Sequence, residues 1–216
     1  MNAAAGRRPR DLLLAGAMAA AYSAFAATFR GPRTKFWQRM TLTGLSLGSL
    51  ALAAEPELRR TRIRPRDVAL GLGSAAALYG VFQVGDHMAR RIMPKGGAEI
   101  DEMYALQHLR PKAEVAARLA LVIGPAEELF WRGFLQRRLS ERTGRWTAAA
   151  VAATAYGGAH LVTANLTLTG AAAVAGASWS AMAAAGMPMG ALIVSHVAWD
   201  IWIFLLAPTA PVPPAV

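Results

Sequence analysis

Runs of Ala, Leu, Val and Gly that approach the ~20 residues needed to cross a bilayer recur along the chain, with clusters of Arg between them. Lipid offers the backbone no hydrogen-bond partners, so runs of this kind satisfy their own N–H and C=O groups as helices. With 55% of its 216 residues hydrophobic, the chain does not read as one or two soluble domains. The expectation is an all-α protein, a polytopic transmembrane helical bundle. Seven candidate segments run over Asp11–Phe29, Phe36–Ala54, Val68–Ala89, Val115–Leu135, Trp146–Ala164, Leu166–Ala185 and Met189–Leu206. The second is short once Arg39 is discounted, which suits a tilted or interfacial helix. Three regions follow: N-terminal segments and an amphipathic connection over 1–114, a helical core over 115–207, and a short extended tail over 208–216 that opens at Pro208.

The formal net charge is +10. Its Arg residues lie between apolar runs, where they orient helices and meet anionic headgroups, and no compact basic domain is present to hold a nucleic acid. The expected partner is the lipid bilayer. With the N terminus inside, Arg7, Arg8, Arg10, the group from Arg59 to Arg66 and the group from Arg137 to Arg145 share the cytoplasmic side. The first segment resembles a signal peptide, with a basic start and Ala24-Phe-Ala26 as a small-x-small site, but first helices of polytopic proteins share these features and retention is expected. The mixed-charge stretch from Arg90 to Lys112 reads as an amphipathic, interfacial connection. Cysteine is absent, which removes disulfides, thiolate metal sites and cysteine nucleophiles.

Two adjacent glutamates lie inside an apolar stretch, in Ile123-Gly-Pro-Ala-Glu127-Glu128-Leu-Phe-Trp-Arg132-Gly133. Carboxylates are costly in a bilayer and persist there chiefly when paired or functional. Gly124-Pro125 is expected to break or restart the helix, which would set both carboxylates near a helix N terminus. Adjacent residues differ by about 100° around a helix, so the two face different surroundings. Arg132 is four residues after Glu128 and in reach of an ion pair, leaving Glu127 without a local cation. Glu127 is therefore assigned the chemistry and Glu128 a supporting role. Downstream, His160 ends Tyr156-Gly-Gly-Ala-His160, and His196-Val-Ala-Trp-Asp200 sets an acid on the same helical face as an imidazole. A water held between Glu127, His160 and His196 is a plausible composite, with glutamate as general base. Two histidines and a carboxylate also make a normal ligand set for zinc or another divalent metal, which would sharpen the acidity of that water.

Glu127-Glu128-x-x-x-Arg132, followed by His160 and by His196-x-x-x-Asp200 on later helices, resembles the CPBP family of membrane proteases (CAAX-protease and bacteriocin-processing, also called Abi or Rce1-like). The likeness spans about residues 115–206 and implies a catalytic helical core there. It implies intramembrane peptide hydrolysis, with Glu127 as the base, Glu128 its neighbour and Arg132 bracing them. His160 and His196 match the residues that hold the catalytic water or a metal, and Asp200 the polar position that stabilises the oxyanion. Tyr156 stands where Phe usually precedes the second-motif His, and Asp200 where Asn is common in the prenyl-protein branch, which points away from CAAX-type specificity. The Ala-, Arg- and Gly-rich composition suggests a bacterial cytoplasmic membrane, where a membrane-associated peptide or protein is the expected substrate.

Two rival readings use the same residues. Ser178 with His196 faintly resembles the Ser–His dyad of rhomboid proteases, though serine in an Ala-rich helix more often joins helices. A membrane scaffold, immunity protein or transporter would use the polar cluster for binding rather than chemistry. Other features carry structural expectations: close helix packing at Gly44/Gly48 and Gly186/Gly190, interfacial belts at Trp37 and Trp146, an interfacial position for Asp86-His87, solvation for His108, and packing for Met182, Met187 and Met189.

Overall fold

The computed structural model describes residues 7–209, with side chains from Asp11 onward. The tail expected over 208–216 falls, from residue 210, outside the described residues, as do the side chains of Arg7, Arg8 and Arg10. Among the described residues the fold is all helical. The N-terminal helices are α1 (Arg7–Phe29), α2 (Phe36–Ala54), α3 (Pro65–Ile92) and a short α4 (Gly96–Tyr104). Residues 112–143 then form one continuous rod, in which α5 (Lys112–Arg118), α6 (Gly124–Glu128) and α7 (Arg137–Thr143) are joined by π-helical stretches Leu119–Ile123 and Leu129–Gln136. The chain closes with α8 (Arg145–Ala159), α9 (Leu166–Ala184) and α10 (Met189–Ile201), the last continued by a π turn over Trp202–Leu206.

All seven expected segments are helical. Among the described residues four helices are long and apolar enough to cross a membrane: Asp11–Phe29, Pro65–Ile92, Leu166–Ala184 and Met189–Leu206. The other three differ for visible reasons. Helix α8 has 15 residues, the 112–143 rod carries Glu127, Glu128 and Arg132 in its middle, and α2 mixes Gln38, Arg39, Thr and Ser into its length. The connection from Arg90 to Lys112 continues from the end of α3 into α4 and a 3-10 turn over Ala105–Leu109.

Helix α2 lies against the rod rather than at the margin. Its buried residues Phe36, Met40, Gly44, Leu47 and Ala51 recur at helical spacing. A Cβ on Gly48 would stand 3.1 Å from the Cβ of Ala126, so this glycine allows close approach beside Glu127. Gly186 does something else: its φ of 94° makes the turn between α9 and α10, a left-handed conformation that glycine adopts at little steric cost. The core joins both halves of the chain, with Phe25, Leu47, Phe130, Trp131 and Phe134 in one apolar cluster. Met182, Met187 and Met189 pack around a second, smaller cluster at Trp179 and Leu192.

Polar contacts gather at the two ends of the bundle. At the end holding the N terminus, Arg138 pairs with Glu55, Arg137 with Glu57 and Arg142 with Asp11. At the opposite end α4 is tied down on several sides. Arg90 bridges Asp86 of α3 (3.1 Å) and Asp101 of α4 (2.9 Å). Glu99 accepts from the Thr167 hydroxyl (2.7 Å) and backbone N–H (2.9 Å) at the start of α9. These hydrogen bonds hold the Glu99 carboxyl below its usual range. Trp146 is exposed as an interfacial belt requires, but Trp37 is buried, with its Nε1 donating to the Leu106 carbonyl at 2.9 Å. Trp37 therefore anchors the connection to α2 instead of facing headgroups.

Candidate active site

Pro125 does not break its helix. The Gly124 N–H reaches back five residues to the Leu119 carbonyl, and this widened turn accommodates the proline while the rod continues. Glu127 and Glu128 thus sit mid-rod, and partners on other helices, rather than a helix N terminus, offset the cost of burying them. The 100° between them separates those partners. Glu127 lines a cavity of about 560 Å³, and its Oε2 accepts from the Tyr156 hydroxyl at 2.7 Å. Glu128 is absent from the cavity wall. Its Oε1 accepts from Arg132 Nη1 (2.8 Å) and from His196 Nδ1 (2.7 Å), with the Glu128 and Arg132 side chains both fully buried.

Arg132 is held from other directions as well. Its Nη2 donates to the Gly176 carbonyl at 3.0 Å, and the guanidinium lies 4.9 Å from the Tyr156 ring centre and 5.4 Å from that of Trp179. Packing of this kind keeps a buried ion pair from being a net liability, since an unpartnered charge there is costly.

His160 and His196 line the same cavity as Glu127, together with Asp200. His160 engages the Tyr156 carbonyl through Nδ1 at 2.9 Å; a carbonyl only accepts, so Nδ1 carries the proton and Nε2 is the acceptor nitrogen of the neutral ring. Its ring packs edge-on against Phe25, with centroids 5.1 Å apart. His196 lies 3.9 Å from Trp179 in a near-parallel stack of 14°, and its Nε2 is 3.6 Å from Asp200 Oδ2. All six residues singled out in the sequence thus come together, Glu127, His160, His196 and Asp200 on the cavity wall and Glu128 and Arg132 behind it.

As a metal centre the cluster fits less well. Among the described residues no group of three or more His, Asp or Glu is arranged to hold an ion. Glu127 Oε2 and the Nδ1 atoms of both histidines are hydrogen-bonded, as the second nitrogen of a metal-binding imidazole commonly is, which leaves Glu127 Oε1 and the two Nε2 atoms as those that would hold an ion. Ser178 fares differently from the rhomboid-like expectation: its hydroxyl donates back to the Val174 carbonyl of its own helix at 2.9 Å. The side chain that meets His196 from α9 is the neighbouring Trp179.

Sequence reasoning passed over Trp179 and Ser195. The Trp179 Nε1 donates to Ser195 Oγ at 3.1 Å, which also accepts from Ser74 Oγ of α3 at 2.9 Å. An indole inside an otherwise Ala-rich helix was the available signal. Asp86, whose place in the sequence fits an interfacial position or contact with the site, lines the cavity with Tyr104 and Thr209.

The fold and site define an integral membrane protein of helical architecture with a buried carboxylate–imidazole cluster opening on an apolar cavity. Residues 111–202 match the family described as Type II CAAX prenyl endopeptidase Rce1-like. No curated protein and no solved structure shows a match to the chain.

Proposed function

We propose that the protein is an intramembrane endopeptidase that hydrolyses a peptide bond of a membrane-associated peptide or protein, using a water activated by Glu127 with His160 and His196. One observation carries the reading: of two adjacent buried glutamates, Glu127 faces the cavity while Glu128 is committed to Arg132 and His196. The Rce1-like match over 111–202 supports the reaction class.

In this reading Glu127 takes a proton from water as the water oxygen bonds to the scissile carbonyl carbon. His160 Nε2 accepts the water's other hydrogen and aligns its lone pair. The carbonyl π electrons move onto oxygen, and His196, as an imidazolium whose Nδ1–H is given to Glu128, turns its Nε2–H from the water to the charge that develops there. Asp200, with Oδ2 3.6 Å from that nitrogen, supports the charge of the imidazolium. Collapse restores the C=O, breaks the C–N bond, and Glu127 returns its proton to the leaving nitrogen. Glu128 and Arg132 fix the rod to α10 and α9 while this happens. The cavity walls, with Met40, Phe82, Met88 and Phe204 among them, suit a substrate with apolar side chains near the scissile bond. The Arg-rich end that gathers residues 59–66 and 137–145 near the N terminus supports an orientation with the N terminus inside, and the Ala-, Arg- and Gly-rich composition a bacterial cytoplasmic membrane.

The test is cleavage of a pool of quenched fluorogenic peptides by the protein in liposomes, wild type beside Glu127→Gln. Cleavage by wild type alone is expected. Equal binding by both without cleavage would favour a scaffold or transporter.

A further inference from the structure

We infer that Tyr156 is a positioning residue of the reaction, joining the base to the histidine that aligns the water; the inference rests on the protease reading above. One residue contacts both groups. Its hydroxyl donates to Glu127 Oε2 at 2.7 Å, and its backbone carbonyl accepts from His160 Nδ1 at 2.9 Å. Glu127 and His160 come from different helices, the rod and the end of α8, and Tyr156 is the side chain that spans them. The hydroxyl is the feature that separates this residue from the phenylalanine expected at its position in the motif.

The geometry of the ring shows why the hydroxyl acts as a fixed post. Tyr156 is buried, with the Arg132 guanidinium on its face at 4.9 Å and the Trp131 ring edge-on at 5.4 Å and 88°. On another side Gly176 presses so close that an added Cβ would stand 2.8 Å from Tyr156 Cδ1. A ring held on these sides cannot swing, so its O–H has one direction. A carboxylate, by contrast, rotates broadly about its last side-chain bond when nothing holds it. Tying Oε2 to Tyr156 leaves Oε1 as the oxygen presented to a water. General-base catalysis depends on that aim, because a base slightly off its line to the proton transfers it poorly.

The experiment compares Tyr156→Phe with wild type and Glu127→Gln in liposomes, using one fluorogenic peptide chosen from the pool that wild type cleaves. Tyr156→Phe keeps the ring and every ring contact and removes only the tie to Glu127. The expected result is a kcat lower by about 10- to 100-fold, the range associated with small misplacements of a reacting group, with KM changed less than about twofold. A 3-fluorotyrosine placed at 156 restores the hydroxyl and should recover most of the loss, which a packing role would not explain. Unchanged kcat in Tyr156→Phe, with Glu127→Gln inactive, overturns the inference and leaves the protease reading standing. Cleavage by Glu127→Gln at the wild-type rate, or none by wild type, removes the protease reading and this inference with it.

Discussion

Glu128 and His196, separated by 68 positions in the chain, share a 2.7 Å hydrogen bond from Nδ1 to Oε1 in the middle of the bundle. The same carboxylate oxygen takes the Arg132 Nη1 at 2.8 Å. Glu128 is therefore a junction at which the rod, its own arginine and α10 meet.

Breaking that junction from one side leaves a buried charge without its partner. Arg132→Met and Glu128→Leu are each expected to destabilise the protein by about 3–5 kcal/mol. The double substitution should cost clearly less than the sum, because it removes both charges together. Equilibrium unfolding in mixed micelles measures all three. A double variant as unstable as the sum of the singles would mean that the pair does not act as a unit.

Trp179 lies flat against His196 and is fixed by Ser195. Trp179→Ala empties a fully buried site, with a loss of about 3–5 kcal/mol expected for large aromatic-to-alanine changes. Trp179→Phe keeps a ring against the imidazole and should retain most of the stability. The unfolding midpoints of the two variants separate stacking and packing from the indole N–H.

The Glu99 carboxyl gives a pH signature outside the membrane. Its folded form is held below the usual carboxylate range, first by the Thr167 hydroxyl and then by the Thr167 N–H. The stability it contributes is therefore present above the unfolded carboxyl range of about 4.3 and is lost as pH falls through the lower folded value. Thermal unfolding between neutral pH and pH ~3 should show a steeper acid loss in wild type than in Glu99→Gln. Parallel curves would remove Glu99 as a pH-dependent tie between α4 and α9.

With Glu127 as the general base of the proposed reaction, cleavage is expected to survive treatment with a chelator. Metal analysis of the purified protein accompanies that assay. Activity lost to the chelator and restored by zinc would mean that Glu127, His160 and His196 close around an ion during the reaction.

The four long apolar helices were legible in the sequence because apolar length dictates them in lipid. So were the pairing of Glu128 with Arg132 and the different facing of Glu127, which follow from 100° of helical rotation and an arginine four residues on. What the sequence concealed depends on tertiary contact. Gly124-Pro125 reads as a break, yet a π turn carries the helix through it. Trp37 has the composition of an interfacial residue, but the Leu106 carbonyl draws its N–H inside. Tyr156 reads as a mild departure from Phe until α8 brings its hydroxyl to Glu127. Trp179 meets His196 only because the turn at Gly186 folds α10 back on α9.

Cleavage by Glu127→Gln is the most direct measurement. The substitution keeps size and a hydrogen-bonding group facing Tyr156, and it removes the base. In liposomes, with a peptide that wild type hydrolyses, the rate should fall by about 10²- to 10⁴-fold, the usual contribution of a general base, while the protein remains folded. A folded Glu127→Gln protein that cleaves at the wild-type rate would contradict a reaction driven through Glu127.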